Sequence, residues 1–584
     1  MDWRRELMGG LSSEMNIKNY LTIEAREDGL TASLSVNACE YCVDGDGDWK
    51  TLAAGTATEA INAGQTLSFR GELTPTSSAG IGTFTISKKC DLNGNCMSML
   101  FKDNAANNYS LNGKDYAFYR LFYGCKNLGS QPNDGFLPAT TLSSYCYYEM
   151  FAESGIVNIS SLPAMSLHNS CYRRMFYNCK SLTFAPELPA TTLTNSCYYE
   201  MFSGCTNLAT PPKLPATTLD VYCYRSMFQN CKNLRTAPKL PATSLAYYCY
   251  QYMFSGCTSL TTAPELPATS LTRYCYSNMF NGCKALINPP VISGTSINWA
   301  TNCCEFMFSG CTSLITAPTL PAITLGDSCY YNMFSGCTAL TTAPELPATT
   351  LASRCYAQMF YNCTSLTTAP ELPVTTLASY CYVNMFCGCT SLTTAPELPA
   401  TTLVSGCYSN MFYNCTNLTT APELPATTLA TNCYEYMFCG CSKLNYIKML
   451  ATNISASSAL RAWVNGVAST GTFVKHPDMT SLPTGASGIP SGWTVVNSGD
   501  LITFTIDGTE YQAEEGMTWG EWVDSEYNVI NASIYTLSNG VERIMVGVQQ
   551  GVPNILFDSN FDRVITTQEI TINHSYHCMG GGGN

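Results

Sequence analysis

The 32 cysteines carry most of this chain's potential chemistry, and twenty-two of them form eleven C-x7-C pairs, from Cys171/Cys179 to Cys433/Cys441. Thiols at that density could cross-link, hold a metal or act as nucleophiles. Spacing removes most of these roles. Two cysteines eight apart on a helical segment lie about 12 Å apart along its axis, too far to bond within the pair. A metal would need convergent His or Cys clusters, and the repeats hold only His168. No G-x-S-x-G, H-E-x-x-H, phosphate loop or dinucleotide fingerprint occurs. Four histidines in the whole chain leave little for acid–base catalysis. The expectation is a protein that is not an enzyme and takes no metal or cofactor, its cysteines acting as small buried apolar side chains.

The first cysteines recur at 171, 197, 223, 249, 275, 303, 329, 355, 381, 407 and 433, in steps of 26 with one of 28. Cys146 (with Ser154 in the second position) and Cys125 (with Ala117 in the first) extend this to about 13 turns of 26 residues. One such unit cannot bury its own apolar side, whereas stacked copies can. In the unit 249–271, the stretch from Cys249 to Phe254 reads as one or two helical turns, stopped by Gly or Asn before the second cysteine. The segment 258–266 reads as extended, because the residue before each proline is pushed away from helix, and the prolines keep any strand short. A right-handed repeat solenoid is expected, with short parallel strands on one side and short helices on the other.

The recurring F-x-x-C-x-x-L core followed by proline, as in Phe254-Ser255-Gly256-Cys257-Thr258-Ser259-Leu260, resembles BspA-type leucine-rich repeats over residues 114–450. The units run longer than the family's usual one and carry Ala-Pro-Glu-Leu-Pro where a more aliphatic strand is usual. The resemblance implies a leucine-rich-repeat-like solenoid. It also implies a surface adhesin or a host- or matrix-binding protein; similar modules occur in structural proteins of phages of gut bacteria.

The flanks differ in character. Residues 1–113 alternate apolar and polar side chains between turns and read as a β-rich N-terminal domain. Asp44-Gly45-Asp46-Gly47-Asp48 reads as a hairpin turn rather than a calcium loop, since Trp49 and Gly55 stand where glycine and an acid would be needed. Cys39, Cys42, Cys90 and Cys96 could form a four-thiol zinc site, but ordinary buried or bonded thiols are the expectation. Residues 451–498 read as solenoid cap and linker, 499–573 as a small β-rich or α+β domain, and 574–584 as a flexible Gly-rich tail.

Net charge of −13 disfavours nucleic acid, and no apolar run of 18 residues could span a bilayer as a helix. The first ten residues lack the apolar core of a secretory signal. A virion fibre or tail-associated receptor-binding protein is therefore expected first, with a bacterial surface adhesin and a structural spacer as the alternatives. The copies differ most around Cys-Tyr. Tyrosine and arginine, favoured anchors of recognition surfaces, recur there. Tyr248, Tyr252, Arg273, Tyr274, Arg354 and Tyr380 are the expected contacts to a host-cell surface glycan or protein. End domains would engage other virion or surface proteins, and a homo-oligomer is compatible with the sequence. A second column, Glu187, Lys213, Lys239 and Glu265 followed by Glu345, Glu371, Glu397 and Glu423, reads as a solvated stripe.

Overall fold

The computed structural model describes residues 19–129, 135–292 and 300–498 with their side chains. It adds the backbone of strand Asn298–Trp299 and of six strands between 501 and 570. Two compact units result, Met1–Leu392 and Thr393–Asn584.

The first unit opens with β1 (Leu21–Ala25), β2 (Ala32–Leu34), β3 (Cys39–Val43), β4 (Lys50–Leu52), β5 (Thr66–Arg70), β6 (Phe84–Ile86) and β7 (Cys90–Asn93). Five form an antiparallel sheet in the order β4-β3-β5-β1-β7, and β2 pairs with β6. The acidic run joins β3 to β4 as a hairpin, with Tyr41 opposite Lys50. Two of its carboxylates serve the hairpin and its neighbour strand: Asp44 accepts from Thr66 N–H and from the Gln65 side chain, both at 2.8 Å, and Asp46 from Asp48 N–H at 2.9 Å. The four-thiol zinc geometry does not form, because Cys39 and Cys90 lie on strands three apart, about 14 Å at ordinary strand spacing. Phe84 stacks on Phe122 of the first repeat at 5.4 Å, and Cys125 Sγ donates to Phe84 O at 2.9 Å. The sheet thereby closes the near end of the repeat core.

Each repeat is one turn of a solenoid, but its Cys-to-Cys half is not a helix. In 223–231 the odd residues donate three back along the chain: Arg225 N to Tyr222 O, Met227 N to Tyr224 O, Gln229 N to Ser226 O and Cys231 N to Phe228 O, at 3.0–3.2 Å. Even residues donate to the next repeat: Tyr224 N to Cys249 O at 3.1 Å, Ser226 N to Gln251 O at 2.8 Å, Phe228 N to Met253 O at 2.9 Å and Asn230 N to Ser255 O at 2.7 Å. Every fourth residue is left-handed, with φ of 59° at Tyr222, 54° at Ser226 and 60° at Asn230. The result is a chain of β-turns whose spare N–H groups tie successive turns together. A helix would have spent those donors within its own coil.

The Gly or Asn before the second cysteine therefore serves a left-handed turn rather than a helix stop. Wherever Asn holds this place, the next repeat carries Gly. A Cβ on Gly256 would stand 2.2 Å from Asn230 Oδ1, and Gly204 and Gly388 stand in the same relation to Asn178 and Asn362. Gly256→Asn should thus force the Asn230 side chain out of its place and destabilise by about 1–3 kcal/mol, although Asn itself tolerates the left-handed turn. The same change at Gly282, whose Cβ would meet only Gly256 at 3.9 Å, should cost clearly less in denaturant unfolding.

The four-residue rhythm puts Cys-Tyr and then Met-Phe into the interior and turns the intervening pairs away from it, where they are half-buried or, as at Gln251 and Ser277, covered by their neighbours. Phenylalanines stack from repeat to repeat, Phe228–Phe254 at 5.7 Å and Phe254–Phe280 at 5.6 Å, and tyrosines likewise, Tyr224–Tyr250 at 5.9 Å. The second cysteine has a defined task. Cys257 Sγ donates to Phe228 O at 3.0 Å, filling the lone pair that Cys231 N–H leaves free. Burial pushes the Cys249 and Cys337 thiols up to about 12, far from thiolate reactivity.

The other half of each repeat is extended but scarcely a sheet. Pro264 and Pro267 lack N–H groups, so bridging to the next turn survives at isolated points such as Thr236↔Thr262, Leu266↔Ile292 and Ser244↔Ser270.

In the second unit the repeats at Cys407 and Cys433 stack in the same way, with Phe412–Phe438 at 5.7 Å. Residues 459–466 then copy the turn pattern without cysteine: Tyr434 N donates to Ala459 O, and Phe438 N to Trp463 O. Trp463 is fully buried and donates to Gly488 O at 2.9 Å. Parallel strands Tyr446–Met449, Thr472–Lys475 and Thr494–Asn497 continue the coil. Beyond them Leu501–Ile506 pairs antiparallel with Thr509–Glu514, the hairpin expected there, and Asn531–Thr536, Arg543–Gln549 and Val552–Leu556 form another sheet. The helix expected over 517–523 and the His574/His577/Cys578 tail lie outside the described residues.

Candidate recognition surface

The pairs left outside by the turn rhythm form columns along the repeats. One column, just before the first cysteine, stacks Tyr222 on Tyr248 and Tyr248 on Tyr274, each at 4.8 Å. The next column, two residues past that cysteine, alternates ring and cation. Arg173 lies 5.5 Å from the Tyr148 ring and 4.5 Å from Tyr199, and Arg225 lies 5.4 Å from both Tyr199 and Tyr222. A third column alternates charge. Glu149, only 2% exposed, is held by Arg120 and Arg174 at 2.5 Å each, and Arg174 reaches Glu200 at 3.1 Å. All of these contacts except Arg225–Tyr222 run from turn to turn, so the surface columns also help fix the stacking; each exposed cation–π contact is worth about 0.5–1 kcal/mol.

Tyr248 and Tyr274 share one stack, and the Arg273 guanidinium lies 5.3 Å from the Tyr274 ring. Arg354 and Tyr380 form a separate pair farther along the same column, 5.6 Å apart, with Asn302 and Ser328 intervening. Tyr252 stands in the third column, half-buried and outside the ring stack. Tyr222, Tyr199, Arg173 and Arg225 belong to the same surface; a 26-residue alignment of the copies places them in neighbouring columns. Because stacked neighbours cover each other's faces, a ligand would meet ring rims and hydroxyls rather than open aromatic faces. Burial, together with the neighbouring Tyr222 and Tyr274, raises the Tyr248 hydroxyl above its ordinary range, so it remains a donor at neutral pH.

The repeat at Cys303 breaks the pattern. Cys304 occupies the buried tyrosine's place, and Glu305 stands in the second column. Burial raises the Glu305 carboxyl, against the opposing pull of Asn302 and Ser277, whose groups donate to it at 2.5 and 3.1 Å. A raised carboxyl binds its proton more tightly in the folded chain, so this contribution to stability is present at low pH and lost as pH rises through the raised value. Glu305→Gln should therefore gain on the wild type between pH 4 and pH 7 in paired thermal melts. A constant difference would contradict this.

Residues 169–298, 222–367 and 353–460, together half of the chain, match the family described as BspA type leucine-rich repeat region, in six copies. The chain belongs to the BspA-type leucine-rich-repeat family. No curated protein matches it. Among solved structures, a match is the crystal structure of a TLR13–ssRNA13 complex, 12% identical, with a TM-score of 0.19 over 64% of this chain and 58% of that one. The BspA-type repeats of this chain combine a buried Cys-Tyr-Met-Phe interior with variable surface columns. Among the described residues, no helix is long and apolar enough to cross a membrane.

Proposed function

We propose that this BspA-type repeat protein is a non-enzymatic recognition or adhesion protein, working on a virion or a bacterial surface and binding a host-cell glycan or protein through its turn face. The observation that carries this reading is the Tyr222–Tyr248–Tyr274 stack with Arg225 and Arg273 beside it. Hydroxyl donors repeat there at a fixed interval between guanidinium groups. A polymer of repeating hydroxyl or acidic groups suits such a row, since each weak contact recurs along the chain and the contacts act together.

A spacer role, with binding left to the ends, is the competing reading. The experiment is a screen of the full chain against arrayed bacterial surface glycans and against envelope proteins. Saturable binding to a defined class supports recognition, and no binding to either favours the spacer. Mass spectrometry of density-purified phage particles and of washed envelopes then separates virion from cell surface by where stoichiometric peptides occur.

A further inference from the structure

The extended face of the repeats, away from the turn columns, is Thr-rich and charged, with exposed apolar side chains near its start, at Met165 and Phe184, and a further set at its middle. There Val291 is 65% exposed, Ile315 49%, Ile287 48% and Ile323 40%, in places where neighbouring repeats carry Thr or Glu. Val291 belongs to a column that reads Lys213, Lys239, Glu265, Val291, Thr319, Glu345 and Glu371, all exposed. Among the described residues, Lys213, Lys239, Glu265, Glu345 and Glu371 have no ion-pair partner within the chain, whereas Glu423, farther along, pairs with Lys448.

We propose that this face docks on a second copy of the same chain, antiparallel, about a two-fold axis through Val291. That register sets Val291 against its counterpart, Glu265 against Thr319, Lys239 against Glu345 and Lys213 against Glu371. Each pairing occurs twice by symmetry. The charge order excludes the neighbouring registers. Centring one half-turn onward would oppose Glu265 and Glu345, and centring on Thr319 would oppose Glu265 and Glu371. An axis along the repeats would set every glutamate against itself. Within these seven turns only the Val291 centre joins apolar to apolar and cation to anion at once. Seven turns at about 4.8 Å, each about eight residues wide at about 3.3 Å, present roughly 900 Å², close to what each partner buries in a standard stable complex.

The full chain should sediment as a dimer at micromolar concentration, more weakly in high salt. Lys213→Glu with Lys239→Glu, or Glu345→Lys with Glu371→Lys, should each weaken the dimer at least about tenfold, as should Val291→Asp. Combining all four charge changes should restore it, because each new pair again has opposite sign. All these side chains are exposed, and matching thermal melts would show that the variants fold. A wild-type monomer at tens of micromolar would overturn the proposal. So would a dimer indifferent to these changes, or a fourfold variant that stays dissociated.

Discussion

Removing residues 249–274 should leave a soluble protein that melts cooperatively, because the deletion takes out one whole turn and joins Tyr248 to Cys275 as Tyr274 was joined before. Every interior column stays in register, and the loss is one repeat with one interface. Asn230 then lies beneath Gly282, which its side chain can cover as it covered Gly256. Removing residues 197–222, an equally long cut, should be markedly worse. It sets Asn230 directly above Asn178, where the structure has Gly204 with only 2.0 Å between a would-be Cβ and Asn178 Oδ1. Adding Asn230→Gly to that deletion should recover much of the loss. Removing residues 249–261 alone should abolish the fold, since it sets the turn half of one repeat against the extended half of the next. Circular dichroism and denaturant unfolding of the three deletions check this ranking. Equal tolerance of the two long cuts would refute the steric rule.

Phe254→Ala should cost about 3–5 kcal/mol, the range for emptying a buried aromatic site. Phe254 is fully buried, stacks on a ring above and below, and lies in the layer where the next turn's Cys283 Sγ donates to its carbonyl at 3.1 Å. The turns on either side are locked by backbone bonds every second residue, so the cavity can collapse little. Cys257→Ala should cost about 1 kcal/mol, since it removes one thiol donor while Phe228 O keeps its bond from Cys231 N–H. Amide exchange across 250–257 should rise sharply in the first variant and modestly in the second. Similar losses in both would mean that the sulfur, not the ring stack, holds the interior.

The periodicity of cysteine, leucine and phenylalanine made the solenoid legible, because stacking is the one way such a unit can bury its apolar side. The helix was a misreading with a clear cause. In Cys-Tyr-x-x-Met-Phe-x-x-Cys the buried pairs recur every four residues, and over nine residues that period cannot be told from 3.6. Glycine and asparagine before the second cysteine marked a left-handed residue in either reading. What distinguished the two was hydrogen bonding to a residue 25 places on, which no local pattern displays.

At the candidate site, residue identity was readable and geometry was not. Tyr248 and Tyr274 could be aligned from the repeat length, whereas their mutual covering of ring faces depends on how closely successive turns approach. Likewise, β3 and β7 each show an ordinary strand pattern, and only long-range pairing puts their cysteines three strands apart.

Attachment of the labelled full chain to cells bearing its ligand, compared with Tyr222→Ala/Tyr248→Ala/Tyr274→Ala, tests the turn face most directly. The triple variant gives up two ring stacks and the cation–π contacts beside them, so its fold is established first by circular dichroism and a thermal melt. Its binding should fall at least tenfold, about 1.4 kcal/mol or more. Unchanged binding by a folded triple variant would contradict recognition through this surface and return the function to the ends of the chain.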